Sequence, residues 1–449
     1  MSTAFSNLFA KAKPVLRPLA RATIGKLPAP AGRLTGTLAK DGGTPVRDVR
    51  LRPWAAVTDG NAARWRARAQ AMFRAIYVGG VEGLPQPLAE KFAQDWARYC
   101  GCRYGIMLGH GTDALRVGLA AVLDHDGLDY GGEIVVPNFS FFACASAPLD
   151  RRFGVALVDV DPGTLLIDPK RVEEAIVPGK TRAILPVHLF GQPADMTSLR
   201  DIAKKHGLKI LEDAAQAHGA RWESGPVGGL GDAGAFSFQS SKNMASGEGG
   251  ALVTNDEAIY ERAYSMHNTG RALHDGGRWR HVRLGWNMRP SEYQAALLSL
   301  RLETFDEEQA RRRANFQRLY ELMREVTCLA PVAIHPGTRA HGAYMFSMRY
   351  KAERCGGLGV DQFLDIVRAE GAPIYRAFEA TIAEQPAIRD LIARRPQYFN
   401  VRPTPVSDQA ARDTAYIPQN VFLGAAADMD DIVAAIAKVE RHYSGRRAV

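Results

Sequence analysis

One lysine stands where a solvated charge is out of place. In Gly234-Ala-Phe-Ser-Phe-Gln-Ser-Ser-Lys-Asn-Met-Ala-Ser-Gly-Glu-Gly-Gly250 an apolar strand over 235–238 delivers Lys242 into a loop of small and polar residues, and the chain then turns through Gly247, Gly249 and Gly250. Lysine is the amine that forms Schiff bases, and its pKa moves readily on burial, so the setting points to chemistry. An ordinary loop lysine is the plainer alternative. Three further motifs sit at strand ends. In His110-Gly-Thr-Asp-Ala114, Gly111 lets the backbone approach a ligand and Thr112 caps the following helix. Free amides at such a helix start bind phosphate, although the same residues also suit a plain N-cap. In Leu211-Glu-Asp-Ala-Ala-Gln-Ala-His-Gly219 an acid suits four roles: capping the next helix, acting as a base, binding a metal, or holding a protonated ring nitrogen. Glu212 points away from Asp213 if strand geometry persists. Asp213 and His218 match no familiar metal-ligand spacing, so no metal is expected. Val136-Pro-Asn-Phe-Ser-Phe-Phe142 puts aromatic rings at a third strand end, where a ring either joins the core or stacks on a flat ligand.

Together these pieces ask for a ligand with an aldehyde, a phosphate, a ring nitrogen and a flat face. Pyridoxal 5'-phosphate has all four.

The scaffold that must hold these motifs reads as alternating helices and strands. Trp65, Ala69, Met72, Phe73 and Ile76 recur at helical spacing over 61–77, and Leu88, Phe92 and Trp96 form a stripe over 87–99. Short apolar strands over 105–108, 134–136 and 155–158 are each followed by a helical pattern, over 112–123, 142–148 and 170–176. Strands over 183–187 and 209–211 continue the series, with a helix over 196–206 between them. Such alternation implies an α/β fold with a largely parallel sheet covered on both faces, and ligands collect beyond the carboxyl ends of its strands. A long helical stretch from Ser291 to Leu322 leads to a strand over 343–350 and helices over 360–370 and 429–442, which read as a smaller α+β domain. The expected division is a leader over 1–37, a large domain with an N-terminal arm over 38–310, and a small domain over 311–449.

With 449 residues, 46% hydrophobic and 23% charged, the chain has room for a large core and a second, smaller one. No apolar run reaches the length of a transmembrane helix. Five scattered cysteines without a C-x-x-C pair argue against a disulfide framework or a structural zinc site, and favour a reducing, cytoplasmic setting. The net charge of +9 is misleading as a sign of nucleic-acid binding, because residues 1–40 contribute +7 with no acid and the rest only +2. That leader has the composition of a disordered extension or an organelle presequence, and a disordered tail is the expectation.

The ordered set of motifs closely resembles the DegT/DnrJ/EryC1/StrS family of sugar and cyclitol aminotransferases, within fold type I of the pyridoxal-phosphate enzymes. The resemblance runs from about Leu38 to the C-terminus. It is carried by Leu38-Ala-Lys-Asp-Gly-Gly-Thr-Pro-Val-Arg47, Gly111-Thr-Asp-Ala-Leu115, Val158-Asp-Val-Asp-Pro162, Pro186-Val-His-Leu-Phe-Gly-Gln192 and Glu212-Asp-Ala-Ala-Gln-Ala-His-Gly-Ala220. Phe236-Ser-Phe-Gln-Ser-Ser-Lys242, Gly247-Glu-Gly-Gly250 and Gly285-Trp-Asn-Met-Arg289 complete it. The resemblance implies that Lys242 forms the internal aldimine and, when free, moves a proton between substrate and cofactor. Asp213 would pair with the pyridinium nitrogen, which favours the protonated ring as an electron sink. Gln216 would sit near the 3'-oxygen, Phe141 over the ring, and Gly111, Thr112 and Ser237 at the phosphate. Asn287 would reach in from a partner subunit, so a homodimer with shared sites is implied. His110 stands where many relatives have serine or asparagine, and Ser140 and Cys144 stand where threonines are usual.

The implied reaction is a two-stage transamination. Glutamine or glutamate first converts the cofactor to its pyridoxamine phosphate form, and a keto-cyclitol or keto-sugar then takes the amine. Arg289 is a candidate for the donor carboxylate, with a structural ion pair as the alternative. His188, Trp286 and residues 375–378 are candidates for lining the acceptor pocket. One alternative is a dehydratase like 3-amino-5-hydroxybenzoate synthase, which would release an aromatic product. Another is a non-catalytic regulatory protein built on the same fold.

Overall fold

Strand residues alternate between two faces, and in this protein each face has its own core. Ile106 and Leu108, Ile134 and Val136, and Val155 and Leu157 pack in one buried cluster. Their sequence neighbours Met107, Val135, Ala156 and Val158 pack in the other. Burying each of the larger side chains contributes roughly 2 kcal/mol, so a one-residue slip in register would be costly everywhere at once. The computed structural model describes residues 36–50, 54, 62–78, 87–274 and 280–444. The leader expected to be a disordered tail falls almost wholly on residues 1–35, outside the described residues.

Among the described residues, eight strands form the main sheet. In spatial order they are Tyr104–Leu108, Gly250–Thr254, Ala233–Ser237, Lys209–Asp213, Thr181–Ile184, Glu133–Pro137, Gly154–Val158 and Phe399–Val401. Gly250–Thr254 runs antiparallel to both of its neighbours and every other pairing is parallel. That reversed strand is the return arm of a hairpin. Ser237 pairs with Gly250, and the lysine loop spans the gap between them. The strand expected over 183–187 stops at Ile184. Pro186 has no N–H to offer a ladder, and its carbonyl instead accepts the amide of Asp213 at 2.8 Å.

Helices cover both faces, and one of them ties the molecule together. Glu292–Leu322 starts at a reciprocal cap, in which Ser291 Oγ accepts the Gln294 amide and Gln294 Oε1 accepts the Ser291 amide. It runs 31 residues, from the main-sheet core at Ala295 and Leu298 to a third cluster at Phe316 and Leu319. The third cluster surrounds an antiparallel sheet in the order Leu329–Pro331, Met345–Tyr350, Thr414–Pro418, Tyr375–Arg376. The chain crosses between these regions twice more. Leu38 and Val46 pack in the third cluster, where Glu370 accepts the amides of Ala39 and Val46. Phe399–Val401 goes the other way and joins the edge of the main sheet beside Gly154–Val158.

Candidate active site

The hairpin loop that carries Lys242 is closed by its own backbone. Ser240 donates to Gly247 O at 2.9 Å and Ser246 donates to Phe238 O at 2.8 Å, with Gly247 at φ +88° where a side chain would be strained. The loop is also anchored from outside. Asn243 is fully buried, and its amide nitrogen donates to Gly342 O at 2.5 Å and to Gln309 Oε1 at 3.0 Å. Its carbonyl accepts from Arg301 and Arg312 of the long helix at 3.2 and 3.4 Å. The half-buried Lys242 amine is thereby held above the ring of Tyr344, with Nζ 4.7 Å from the ring centroid and 3.4 Å from the hydroxyl. Tyr344 is absent from the candidates that the sequence suggests. Nothing in its local pattern marks it, because its place beside the lysine depends on Gly342 meeting Asn243 across about a hundred residues.

Asp213 ends the neighbouring strand and is nearly fully buried. Its Oδ1 accepts the Ala215 amide at 3.0 Å and its Oδ2 accepts the Cys144 thiol at 3.2 Å. Glu212 faces the other way, as the strand pleat predicts. Its carboxylate accepts the amides of Gly228, Leu230 and Gly231, each at 2.7 Å, and the His188 ring at 2.9 Å. His188 therefore does not line a substrate pocket. It is fully buried, Nδ1 accepts the Ala194 amide at 3.0 Å, and Nε2 carries the proton donated to Glu212. Its role is to brace the strand end that carries Asp213. Gln216 lies one turn beyond Asp213, and its Oε1 accepts the Phe190 amide at 2.8 Å.

The third component is a helix N-terminus held against the hairpin. A Cβ on Gly111 would lie 2.6 Å from Ser237 Cβ, and one on Gly250 would lie 2.2 Å from His110 O. The contact admits only glycine, so the first amides of Gly111–Leu123 sit beside the Ser237 hydroxyl. Thr112 is not the cap. The N-cap residue is His110, which makes no capping bond and whose Nδ1 lies 3.1 Å from Asp113 Oδ2. The amides it leaves uncapped suit an anion. Phe141 presents an exposed ring from the segment that sends Cys144 inward to Asp213. An amine, an acid, an open helix start with an adjoining hydroxyl, and an exposed ring fit the demands of pyridoxal phosphate.

Other expected residues lie apart. Arg289 donates to Asn268 Oδ1 at 2.8 Å and faces a cavity of about 280 Å³ shared with Glu90, Tyr264 and His267. Lys242, Asp213 and Gln216 do not line that cavity, and the Asn268 partner is a neutral amide, so the hydrogen bond is not the ion pair named as the alternative. Asn287 is exposed, with its backbone bridged to Asn268. Trp286 lies under Arg151, whose guanidinium is 4.2 Å from the ring centroid. Phe378 packs on Phe139 at 5.2 Å. Beneath the hairpin, His218 is enclosed by Trp96, Phe236 and Phe238 with centroids 5.6 to 5.7 Å away. Burial, and then the charge of Lys242, push its pKa down to about 3, so it is a neutral core residue at ordinary pH.

A mostly parallel sheet with helices on both faces, a lysine on a hairpin loop and an acid on the adjacent strand end define a fold type I pyridoxal-phosphate transferase. The chain belongs to the DegT/DnrJ/EryC1/StrS aminotransferase family, whose sequence model matches residues 66–437. It is 35% identical over 441 residues to the L-glutamine:2-deoxy-scyllo-inosose aminotransferase of Streptoalloteichus tenebrarius, covering 92% of this chain and 99% of that protein. The Streptomyces fradiae enzyme of the same name is 36% identical over 372 residues, which cover 78% of this chain and 86% of that enzyme. Among solved structures, 3-amino-5-hydroxybenzoic acid synthase superposes with a TM-score of 0.73 at 30% identity, covering 84% of this chain and 97% of that one. Among the described residues no helix is long and apolar enough to cross a membrane.

Proposed function

We propose that this aminotransferase takes its amino group from L-glutamine and delivers it to the ketone of a cyclitol, with pyridoxal phosphate as cofactor. The observation that carries the reading is the convergence of Lys242, Asp213 and the Gly111–Ser237 contact at one end of the sheet. The named acceptor and donor of the inosose aminotransferases, matched over nearly their full length, support this choice of substrates. In this reading the uncapped amides of Gly111 and Thr112, together with Ser237, hold the phosphate. Asp213 pairs with the ring nitrogen, Gln216 stands near the ring oxygen, and Phe141 covers the flat face. When bound, the cofactor supplies an aldehyde to carry the amino group and a ring to take up an electron pair.

The Lys242 amine does the acid–base work. It takes the proton from the donor's α-carbon and, in the second half of the reaction, returns a proton to the carbon of the former ketone. Tyr344 holds that amine over its ring between the two steps. We place the active unit as a cytoplasmic homodimer. Val282 and Leu284 are 57% and 55% exposed in the segment that leads to Asn287, an apolar surface suited to a second copy whose Asn287 completes the site. The panel that tests the reading is keto-cyclitols and nucleotide-linked keto-sugars, each with L-glutamine and L-glutamate. Amination of a keto-cyclitol driven by glutamine is expected. Turnover confined to nucleotide-linked sugars would overturn the acceptor class, and release of an aromatic amino acid would point to the dehydratase chemistry of the benzoate synthase.

A further inference from the structure

The acid at the strand end is steadied by a thiol. Cys144 is fully buried at the second position of Ala143–Asp150, and its Sγ lies 3.2 Å from Asp213 Oδ2. Ser140 Oγ lies 3.3 Å from the same sulfur. Burial, then the charge of Asp213, push the thiol well above its ordinary pKa, so the sulfur keeps its single proton. That proton is committed to the carboxylate, which makes the Ser140 hydroxyl the donor to sulfur. The result is a chain from Ser140 through Cys144 to Asp213, buried along its length.

We propose that Cys144, backed by Ser140, is a positioning residue that sets the orientation of the Asp213 carboxylate toward the cofactor's ring nitrogen. The inference rests on the proposed role of Asp213 and adds the group that holds it. With Oδ1 fixed by the Ala215 amide, the contact at Oδ2 determines the rotation of the carboxylate about its last bond. A thiol is a weak donor, so it can hold that rotation while leaving the negative charge available to a cationic partner. The segment also links two parts of the site, since the Cys144 amide donates to the carbonyl of Phe141 at 3.1 Å. A shift at Cys144 would move the exposed aromatic ring together with the acid.

The test titrates apoprotein with pyridoxal phosphate for wild type, Cys144→Ala and Cys144→Ser, and records the melting temperature of each apoprotein. Cys144→Ala is expected to raise the dissociation constant about tenfold, the effect of one hydrogen bond to a charged group. Cys144→Ser restores a donor without added volume and is expected to bind within about threefold of wild type. Melting temperatures within about 3 °C of each other separate this role from a packing defect. In the apoprotein, the infrared S–H band that Cys144→Ala removes is expected to shift to higher frequency in Asp213→Ala. Wild-type affinity in Cys144→Ala, or equal loss in the alanine and serine variants, overturns the proposal. A wild-type protein that takes up no pyridoxal phosphate overturns the underlying reading of the site, and this role with it.

Discussion

A single added methyl group at Gly111 has nowhere to go. It would meet Ser237 Cβ at 2.6 Å, and Ser237 belongs to a fully buried strand that cannot step back. Gly111→Ala is therefore expected to push the helix start off the hairpin and weaken pyridoxal phosphate binding about tenfold, measured by apoprotein titration. The sequence marks this glycine only in company with the other motifs, because alone it suits a plain N-cap equally well. The lysine and the strand-end acid stand out in the sequence for a different reason: each is a charge beside apolar residues. For His188 and Arg289 the sequence hides the hydrogen bonds that decide their setting, to Glu212 and Ala194 for the one and to Asn268 for the other. His218 carries a second prediction at this scale. With its folded pKa near 3 and an ordinary value of 6.5, it is neutral in the folded protein and gains a proton on unfolding below pH 6.5. Stability then falls as pH drops. Over the interval from pH 6.5 to 5 this one group accounts for a loss of about 2 kcal/mol. His218→Phe is expected to flatten that part of a stability-versus-pH curve measured by denaturant unfolding.

At the level of elements, the Lys242 loop is built as much by the long helix as by its own glycines. Arg312 is fully buried, bonded to Glu308 at 3.1 Å, Gln419 at 2.9 Å and the Asn243 carbonyl at 3.4 Å. Burial lowers its pKa to about 10, which still leaves it charged, so its partners are arranged around a cation. Arg312→Ala leaves Glu308 its longer contact to Arg301 and loosens Asn243, with an expected loss of about 3 kcal/mol in unfolding free energy by denaturant titration. A fall in cofactor affinity should accompany it. Helical spacing relates Gln309 to Arg312, but Asn243 lies 66 residues before Gln309, so no periodicity in the sequence ties the lysine loop to this helix. The same limit explains why Phe399–Val401 and Thr414–Pro418 were missed as strands. They are three and five residues long, and their partners lie in distant parts of the chain. The long amphipathic helices and the buried parallel strands, whose signals are local, were legible with small errors at their ends.

For the whole molecule, the proposed sharing of sites between two copies makes a quantitative demand. Lys242→Ala removes the amine from a site, and Asn287→Ala impairs the site of the partner. In a mixed dimer one site carries both changes and the other carries neither. Random mixing of the two variant proteins is expected to recover roughly a quarter of wild-type turnover, because half of the dimers are mixed and each has one intact site. Recovery of nothing beyond the average of the two variants would show that each chain completes its own site.

The most direct measurement of the central claim is the first half of the reaction in isolation. Purified protein is loaded with pyridoxal phosphate, mixed with L-glutamine without a ketone, and followed by its absorbance spectrum. The account predicts that the wild-type cofactor band is lost as the amino group moves onto the cofactor, and that it returns when a keto-cyclitol is added. Lys242→Ala, which lacks the amine that moves the proton, is expected to show neither change. A spectrum that stays constant in the wild type, or a Lys242→Ala protein that cycles at the wild-type rate, would contradict the assignment of Lys242 and the glutamine-dependent reaction built on it.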